Sequence, residues 1–161
     1  MRKRLIRPTP KDISPPDQEW LNLEQLANVE ITSEDASHPI ESALLPERES
    51  SQGSGWVAAE PGEQTIRLIF DQPVRLVRIW LLFIESEVER TQEFVLRWSP
   101  DNGQNFREVV RQQWNFSPPA TIRELEDYRV DLSGVTVFEL TIVPNKDGGT
   151  ARASIAQLRL G

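Results

Sequence analysis

With one histidine and no cysteine among 161 residues, the chain has few routes to catalysis. A Ser-His-Asp mechanism has His38 alone as its base, and no Gly-x-Ser-x-Gly elbow presents a nucleophile. The missing cysteines remove thiolate chemistry, disulfides and a cysteine zinc site, and a single imidazole excludes a histidine-rich metal site. Gly53-Ser54-Gly55-Trp56 has neither the Gly-Lys-Ser/Thr of a phosphate-cradling loop nor the strand-then-helix setting of a dinucleotide fingerprint. Glu85, Glu87 and Glu89 crowd one stretch. Glycoside hydrolysis, however, needs two carboxyls about 5 Å or about 6.5–9.5 Å apart across a cleft, and an open Glu-x-Glu-x-Glu run reads as a solvated loop. Asp101, Asn102 and Asn105 lack the spacing of a calcium loop and read as a hairpin turn. The expectation is a protein that is not an enzyme and holds no cofactor or metal.

Recognition chemistry is better represented. His38 has two readings: it or Ser37 caps a short helix that starts at Pro39 and buries Ile40, Ala43 and Leu44, or its imidazole stands at the mouth of a binding loop. Trp114-Asn115-Phe116-Ser117-Pro118-Pro119 joins aromatics to an amide in a proline-stiffened loop. Trp114 ends a strand and suits the core, which leaves Phe116 as the exposed candidate for covering a sugar face. Arg90 starts a strand beside Thr91 and Gln92, where its guanidinium either donates to a ligand or pairs with a neighbouring glutamate. His38, Arg90 and Phe116 are therefore the predicted ligand-binding residues.

The remaining residues must position these groups. Residues 1–16 hold four prolines and five basic residues, too little apolar matter to offset the entropy of ordering, and read as an extended arm. Residues 17–161 read as one domain. Asp17 offers an N-cap, and Trp20, Leu23, Leu26 and Ala27 recur at helical spacing, predicting a lid helix over residues 18–27. From residue 28 the period becomes 2. Ile66, Leu68 and Phe70 alternate, Asp71-Gln72-Pro73 predicts a hairpin turn, and Val74 to Ile84 is apolar on both faces. In that run Leu76, Trp80 and Leu82 are assigned to one face, and Val77, Ile79, Leu81 and Phe83 to the other. Phe94, Leu96 and Trp98 lead into the turn Ser99-Pro100-Asp101-Asn102-Gly103, and a further turn is read at Ser133-Gly134. About nine short strands predict an all-β fold, an antiparallel jelly-roll sandwich. Four connections exceed simple turns, at 33–55, 85–91, 115–121 and 145–152, and such loops are where a rigid sandwich carries function.

Charge narrows the partners. The chain carries 18 basic and 25 acidic residues, a net −7, and five of the basic residues lie within residues 1–11, so the body is more acidic still. Such a surface repels phosphate backbones and argues against nucleic acid as a partner. No apolar run is long enough to cross a membrane as a helix, and no apolar stretch follows the basic start as in a secretory signal, which predicts a cytoplasmic protein without membrane contact.

The order of motifs resembles the discoidin, or F5/8 type C, family of galactose-binding-like jelly rolls. The matching features are Val29-Glu30-Ile31-Thr32-Ser33-Glu34-Asp35, Trp56 on the second strand, the Ile66 to Phe83 pair of runs, Phe94 to Gly103, and the closing Ala153 to Leu160. Residues 33–45 and 55–66 are also similar to the N-terminal domain of the X-ray repair cross-complementing scaffold, a family that joins repair proteins and broken DNA. Calcium-binding members carry an Asp-Gly-Asn-x-x-Thr-like stretch and a late Glu, where this chain has Pro46 to Gly55 and Gln157, so no calcium is implied. The arginine of galactose-binding members is absent from Phe83-Ile84-Glu85-Ser86, so galactose itself is not implied either. The resemblance implies a non-catalytic module that binds carbohydrate through loops at one end, or alternatively a cytoplasmic adaptor that binds a protein.

Overall fold

The computed structural model describes residues 20–45 and 55–161. The predicted arm at 1–16 lies outside the described residues. Among the described residues there are eight strands: β1 Ala27–Ile31, β2 Trp56–Pro61, β3 Gln64–Ile84, β4 Arg90–Ser99, β5 Arg107–Phe116, β6 Arg123–Val143, β7 Arg152–Ile155 and β8 Gln157–Leu160. Two single-turn helices accompany them, α1 Leu23–Leu26 and α2 Glu41–Leu44. All strand pairings are antiparallel, in the order β1-β3-β6-β4-β5, with β8 on the second half of β3 and β2 paired to β7. The fold is the expected antiparallel jelly-roll sandwich.

Two predicted turns are bends within long strands. Gln64–Ile69 and Val74–Ile84 both keep β6 as their antiparallel partner, with register shifts between them, so Asp71-Gln72-Pro73 kinks β3 without reversing it. Pro73 has no N–H to give the ladder, and all three residues are exposed. Ser133-Gly134 lies inside β6 in the same way. One pair of 21-residue strands thereby contributes to both layers of the sandwich. The core between them takes Ile66, Leu68 and Phe70 from the first half of β3, Ile79, Leu81 and Phe83 from the second, and Phe94, Leu96, Phe138 and Leu140 from the neighbours.

A second irregularity reverses two face assignments. The backbone N–H groups of Val77 and Arg78 both donate to Gly161 O, at 2.8 and 3.1 Å. Two residues opposite one partner form a bulge, which shifts the phase of the alternation. Leu76 consequently joins Ile79, Leu81 and Phe83 in the main core, and Val77 is exposed. Trp80 and Leu82 share one face, as predicted, on the side away from the main core, and form a smaller cluster with Ala156, Trp20 and Ile84.

The lid helix is shorter than its periodicity predicts. Asn22, not Asp17, is its N-cap, accepting from Gln25 N at 3.3 Å. Ala27 already pairs with Phe70, so sheet hydrogen bonding ends the helix after one turn. Leu23 fills the main core, and Trp20, from the segment before the helix, packs beside Trp80.

Candidate functional site

Strand register decides where the long loops go. Ile31 stands beside Ile66, Gln64 beside Ile142, Glu93 beside Val143, Arg90 beside Phe116, Ile84 beside Arg123 and Trp56 beside Ile155. The connections after β1, β3, β5 and β6 therefore emerge at one end of the sandwich. The Ser99–Phe106 turn lies at the opposite end, with Asn102 and Gly103 at φ 60 and 88. There Asp101 accepts from Asn105 Nδ2 and Ser99 Oγ at 2.7 Å each, and these donors, with Asn105 N, hold its carboxyl at about 2. Asp101 thus serves the predicted turn.

The loop after β1 is pinned residue by residue. Ser33 Oγ donates to Gln64 Oε1 at 2.6 Å and accepts from Ala59 N, and the Trp56 indole donates to Ser33 O at 3.2 Å. Asp35 N donates to Val57 O, and Val57 N to His38 O. The Asp35 carboxylate accepts from Ser37 N and meets His38 Nδ1 at 3.2 Å, contacts that lower its pKa. His38 Nε2 is the ring's remaining hydrogen-bonding atom. The helical reading of this segment holds for its buried face and not for its cap. Ile40, Ala43 and Leu44 are buried around α2, and Arg159 Nη1 ties Ala43 O to β8 at 2.7 Å. The helix starts at Glu41 rather than Pro39, however, and its N-cap is Ile40, with no side-chain cap from Ser37 or His38. Ile40 N donates instead to Glu34 Oε1. Gly55 permits the approach of β2 to β7, because a Cβ there would lie 2.2 Å from Ile155 O.

Arg90 is 4% exposed and Phe116 fully buried. The guanidinium lies 4.8 Å from the Phe116 ring centre, which explains why the aromatic expected to be exposed is covered. Arg90 Nε donates to Glu85 Oε1 at 2.7 Å, and Nη1 to Pro144 O at 2.7 Å and Gln92 Oε1 at 3.2 Å. Burial pushes the Glu85 carboxyl up, but Arg90 and the backbone N–H groups of Glu87 and Val88 bring it below its ordinary value. Glu85 organises its loop and joins it to β4.

Two clefts open on this end. One, of about 290 Å³, is lined by His38, Trp56, Glu85, Ser86, Glu87 and Ser154 among others. The second, of about 420 Å³, is lined by Glu89, Arg90, Thr91, Asn115, Phe116, Asn145 and Asp147. His38 thus borders one cleft, Arg90 and Phe116 border the other, and residues 85–89 contribute to both. Of the three predicted residues, Arg90 and Phe116 touch. Sequence reasoning names Thr91 and Asn115, joined at 2.8 Å, only as neighbours of Arg90 and Phe116, and it misses Asn145 and Asp147, for which loop length was the available signal.

A pair of carboxyls lies elsewhere. Glu124, fully buried on the inner face of β6, accepts from Gln92 Nε2 at 3.1 Å on Oε1, its Oε2 has no hydrogen-bond partner, and the Glu126 carboxyl lies near it two residues on. Burial is the main cause that pushes its pKa up to about 8. The two carboxyls stand side by side on one strand, whereas glycoside hydrolysis places them on opposite sides of a substrate. Among the described residues no group of three or more acidic or histidine side chains is placed to hold a metal, and no helix is long and apolar enough to cross a membrane.

No protein-family model matches the sequence, and no curated protein matches it. Solved structures do. The family 32 carbohydrate-binding module of AlyQ, in complex with 4,5-unsaturated mannuronic acid, superposes with a TM-score of 0.59 at 14% identity, covering 84% of this chain and 95% of that one. A family 32 module from Clostridium perfringens, in complex with GalNAc-β-1,3-galactose, gives 0.59 at 19% identity over 88% and 99%. Reduced XRCC1 bound to the DNA polymerase β catalytic domain gives 0.54 at 10% identity over 84% and 95%. The chain has the galactose-binding-like, discoidin-like fold that these proteins share.

Proposed function

We propose that this galactose-binding-like domain is a non-catalytic carbohydrate-recognition module that takes its ligand at the loop end of the sandwich. The observation that carries the reading is the pair of polar clefts flanking residues 85–89, on a fold whose structural neighbours include modules solved with sugars bound. His38 contacts the ligand, and the buried Arg90 and Phe116 form a rigid floor that fixes Glu85, Thr91 and Asn115. Asp147, Glu87 and Glu89 are exposed on the same loops. A site bordered by carboxylates and amides suits the hydroxyl donors of a neutral sugar.

Saturation-transfer NMR against neutral galacto-, manno- and gluco-oligosaccharides tests this reading. Binding to one class, weakened by about 1–3 kcal/mol in His38→Ala without loss of fold, is the expected result. No binding to any neutral glycan would displace it. The second reading, a cytoplasmic protein adaptor, draws on the likeness to XRCC1 bound to a polymerase domain, and it would then lead.

A further inference from the structure

The outer face of the five-stranded layer carries a groove of about 540 Å³ that shares no lining residue with the loop-end clefts, although Lys146 at its edge lies between Asn145 and Asp147 of one of them. Its floor is set by cross-strand register. Glu30, Arg67, Glu139, Arg97 and Glu108 stand opposite one another in a single row across β1, β3, β6, β4 and β5. Beside that row, Arg111 and Lys146 converge on Glu93, at 2.8 and 2.5 Å. The carboxylates at the centre lie underneath: Glu93 and Glu139 have side chains 8% and 7% exposed. The cations lie above them, with Arg67 and Arg97 at 40%, Lys146 at 42% and Arg111 at 49%. An exposed Glu63 also borders the groove. What solvent meets at the centre is therefore guanidinium and ammonium, on a protein whose net charge is −7.

We infer that this groove is a second binding surface and that its occupant is a carboxylated polysaccharide, a chain of uronate sugars. The inference rests on the carbohydrate reading above for the class of polymer, and on the groove for the site and the sign of charge. Arg97 is the primary contact. Its nearest acidic oxygen, Glu139 Oε1, is 3.7 Å away, and it makes no hydrogen bond among the described residues, so its donors are available to a ligand carboxylate. Arg67 is already committed to Glu139, with Nε and Nη2 at 3.0 and 2.7 Å, and serves to hold that carboxylate down. Thr65 and Thr141, whose hydroxyls meet at 3.1 Å on the groove floor, add groups suited to sugar hydroxyls.

An acidic peptide fits this face less well. Peptides add to a sheet edge through backbone hydrogen bonds or lay an apolar helical stripe into an apolar groove. A sheet face has no free backbone groups to offer, and the apolar lining here is Val95 and Val143. The loop end, bordered by exposed Glu87, Glu89 and Asp147, repels uronates, so the two surfaces sort ligands by charge.

Titration of oligogalacturonate and of a neutral galacto-oligosaccharide into the full chain, its Arg97→Ala and Arg97→Glu variants, and His38→Ala tests the assignment. Oligogalacturonate should bind, weaken tenfold or more in Arg97→Ala and further in Arg97→Glu, fall steeply with added salt, and be unchanged in His38→Ala. Thermal melts of each variant show that the fold is intact. Oligogalacturonate binding that survives both Arg97 variants, or is lost in His38→Ala, overturns the groove. Binding of the neutral sugar alone overturns the groove and leaves the loop-end reading standing. Uronate binding lost in the Arg97 variants, with no neutral sugar bound, keeps the groove and overturns the loop-end reading. Failure of both ligands overturns the groove together with the carbohydrate reading.

Discussion

Glu93 on the outer face of β4 and Glu124 on the inner face of β6 are covered by protein to nearly the same degree, at 6% and 0% exposure, yet their pKa values are pushed in opposite directions. Lys146 and Arg111 hold the Glu93 carboxyl at about 2. Glu124 has Gln92 and Glu126 beside it, and with burial the dominant cause its carboxyl rises to about 8. One residue of offset along β4 separates the two settings, because Gln92 points inward to Glu124 while Glu93 points outward to its cations. Cover alone does not set the charge of a carboxyl; the partner within reach does. The outer face is thus a charged layer fixed by ion pairs. The inner face is an apolar layer that tolerates a carboxyl by keeping it protonated.

The largest test of that contrast is Phe83→Ala. Phe83 is fully buried, is the register partner of Glu124, and stacks on Phe94 with ring centres 5.2 Å apart. Truncation should cost about 3–5 kcal/mol in denaturant unfolding through lost transfer energy and a residual cavity. A loss below about 1 kcal/mol would mean that the layer around Glu124 is not dry, and the contrast would break at its apolar side.

Glu124→Gln should act in the opposite direction. A carboxyl whose folded pKa lies above its unfolded value lends stability fully below about 4.5, and loses it as pH rises from there to about 8. The glutamine keeps an acceptor for Gln92 and has no proton to lose. The variant should therefore be more stable than the parent at pH 8 by roughly 1–3 kcal/mol, with the difference closing toward pH 4.5. Melting curves across that range give the answer. A parent whose stability is flat from pH 5 to 8 would show that Glu124 is not held protonated.

Glu93→Gln has the mirror-image window. Its lowered pKa makes the parent lose stability as pH falls from about 4.5 to about 2, and the variant should lack that limb. At neutral pH the loss should be about 1 kcal/mol, since Lys146 and Arg111 are half exposed and regain water when their partner goes. Added salt should shrink the difference for Glu93 and leave that for Glu124 unchanged.

Much of this contrast lies in the sequence, but in pieces. The alternation Tyr128, Val130, Leu132, carried backward by twos, places Glu126 and Glu124 inside, and Phe94 and Leu96 inside place Glu93 and Arg97 outside. The sandwich, the turn at Ser99 to Gly103 and the long loops follow from the same local rules. Contacts between strands do not. That Arg67, Glu139 and Arg97 form one row depends on register between residues up to 72 positions apart, and a one-residue slip would dissolve it. The bends at Asp71–Pro73 and Ser133-Gly134 look like hairpins because kinks and reversals use the same residues, and both halves of β3 pairing with β6 tells them apart. Phe116 misled for a related reason: its loop is exposed, but Arg90, opposite it in register, covers its ring.

The smallest expected effect belongs to Arg97→Ala, and its smallness is the informative outcome. Arg97 shares the charged row with Arg67, yet Arg67 makes two hydrogen bonds to Glu139 while Arg97 stops at 3.7 Å from it. A half-exposed guanidinium at that distance gains little from the pair, and Glu139 keeps its stronger partner when Arg97 is removed. The variant should stay within about 0.5 kcal/mol of the parent, a shift in melting midpoint of less than about 2 °C for a chain of this size. Arg67→Ala leaves the Glu139 carboxylate covered and without its two donors, and should cost more, about 1–3 kcal/mol. Equal losses in the two melts would mean that the row acts as one structural network, and Arg97 would then not be free to hold a ligand.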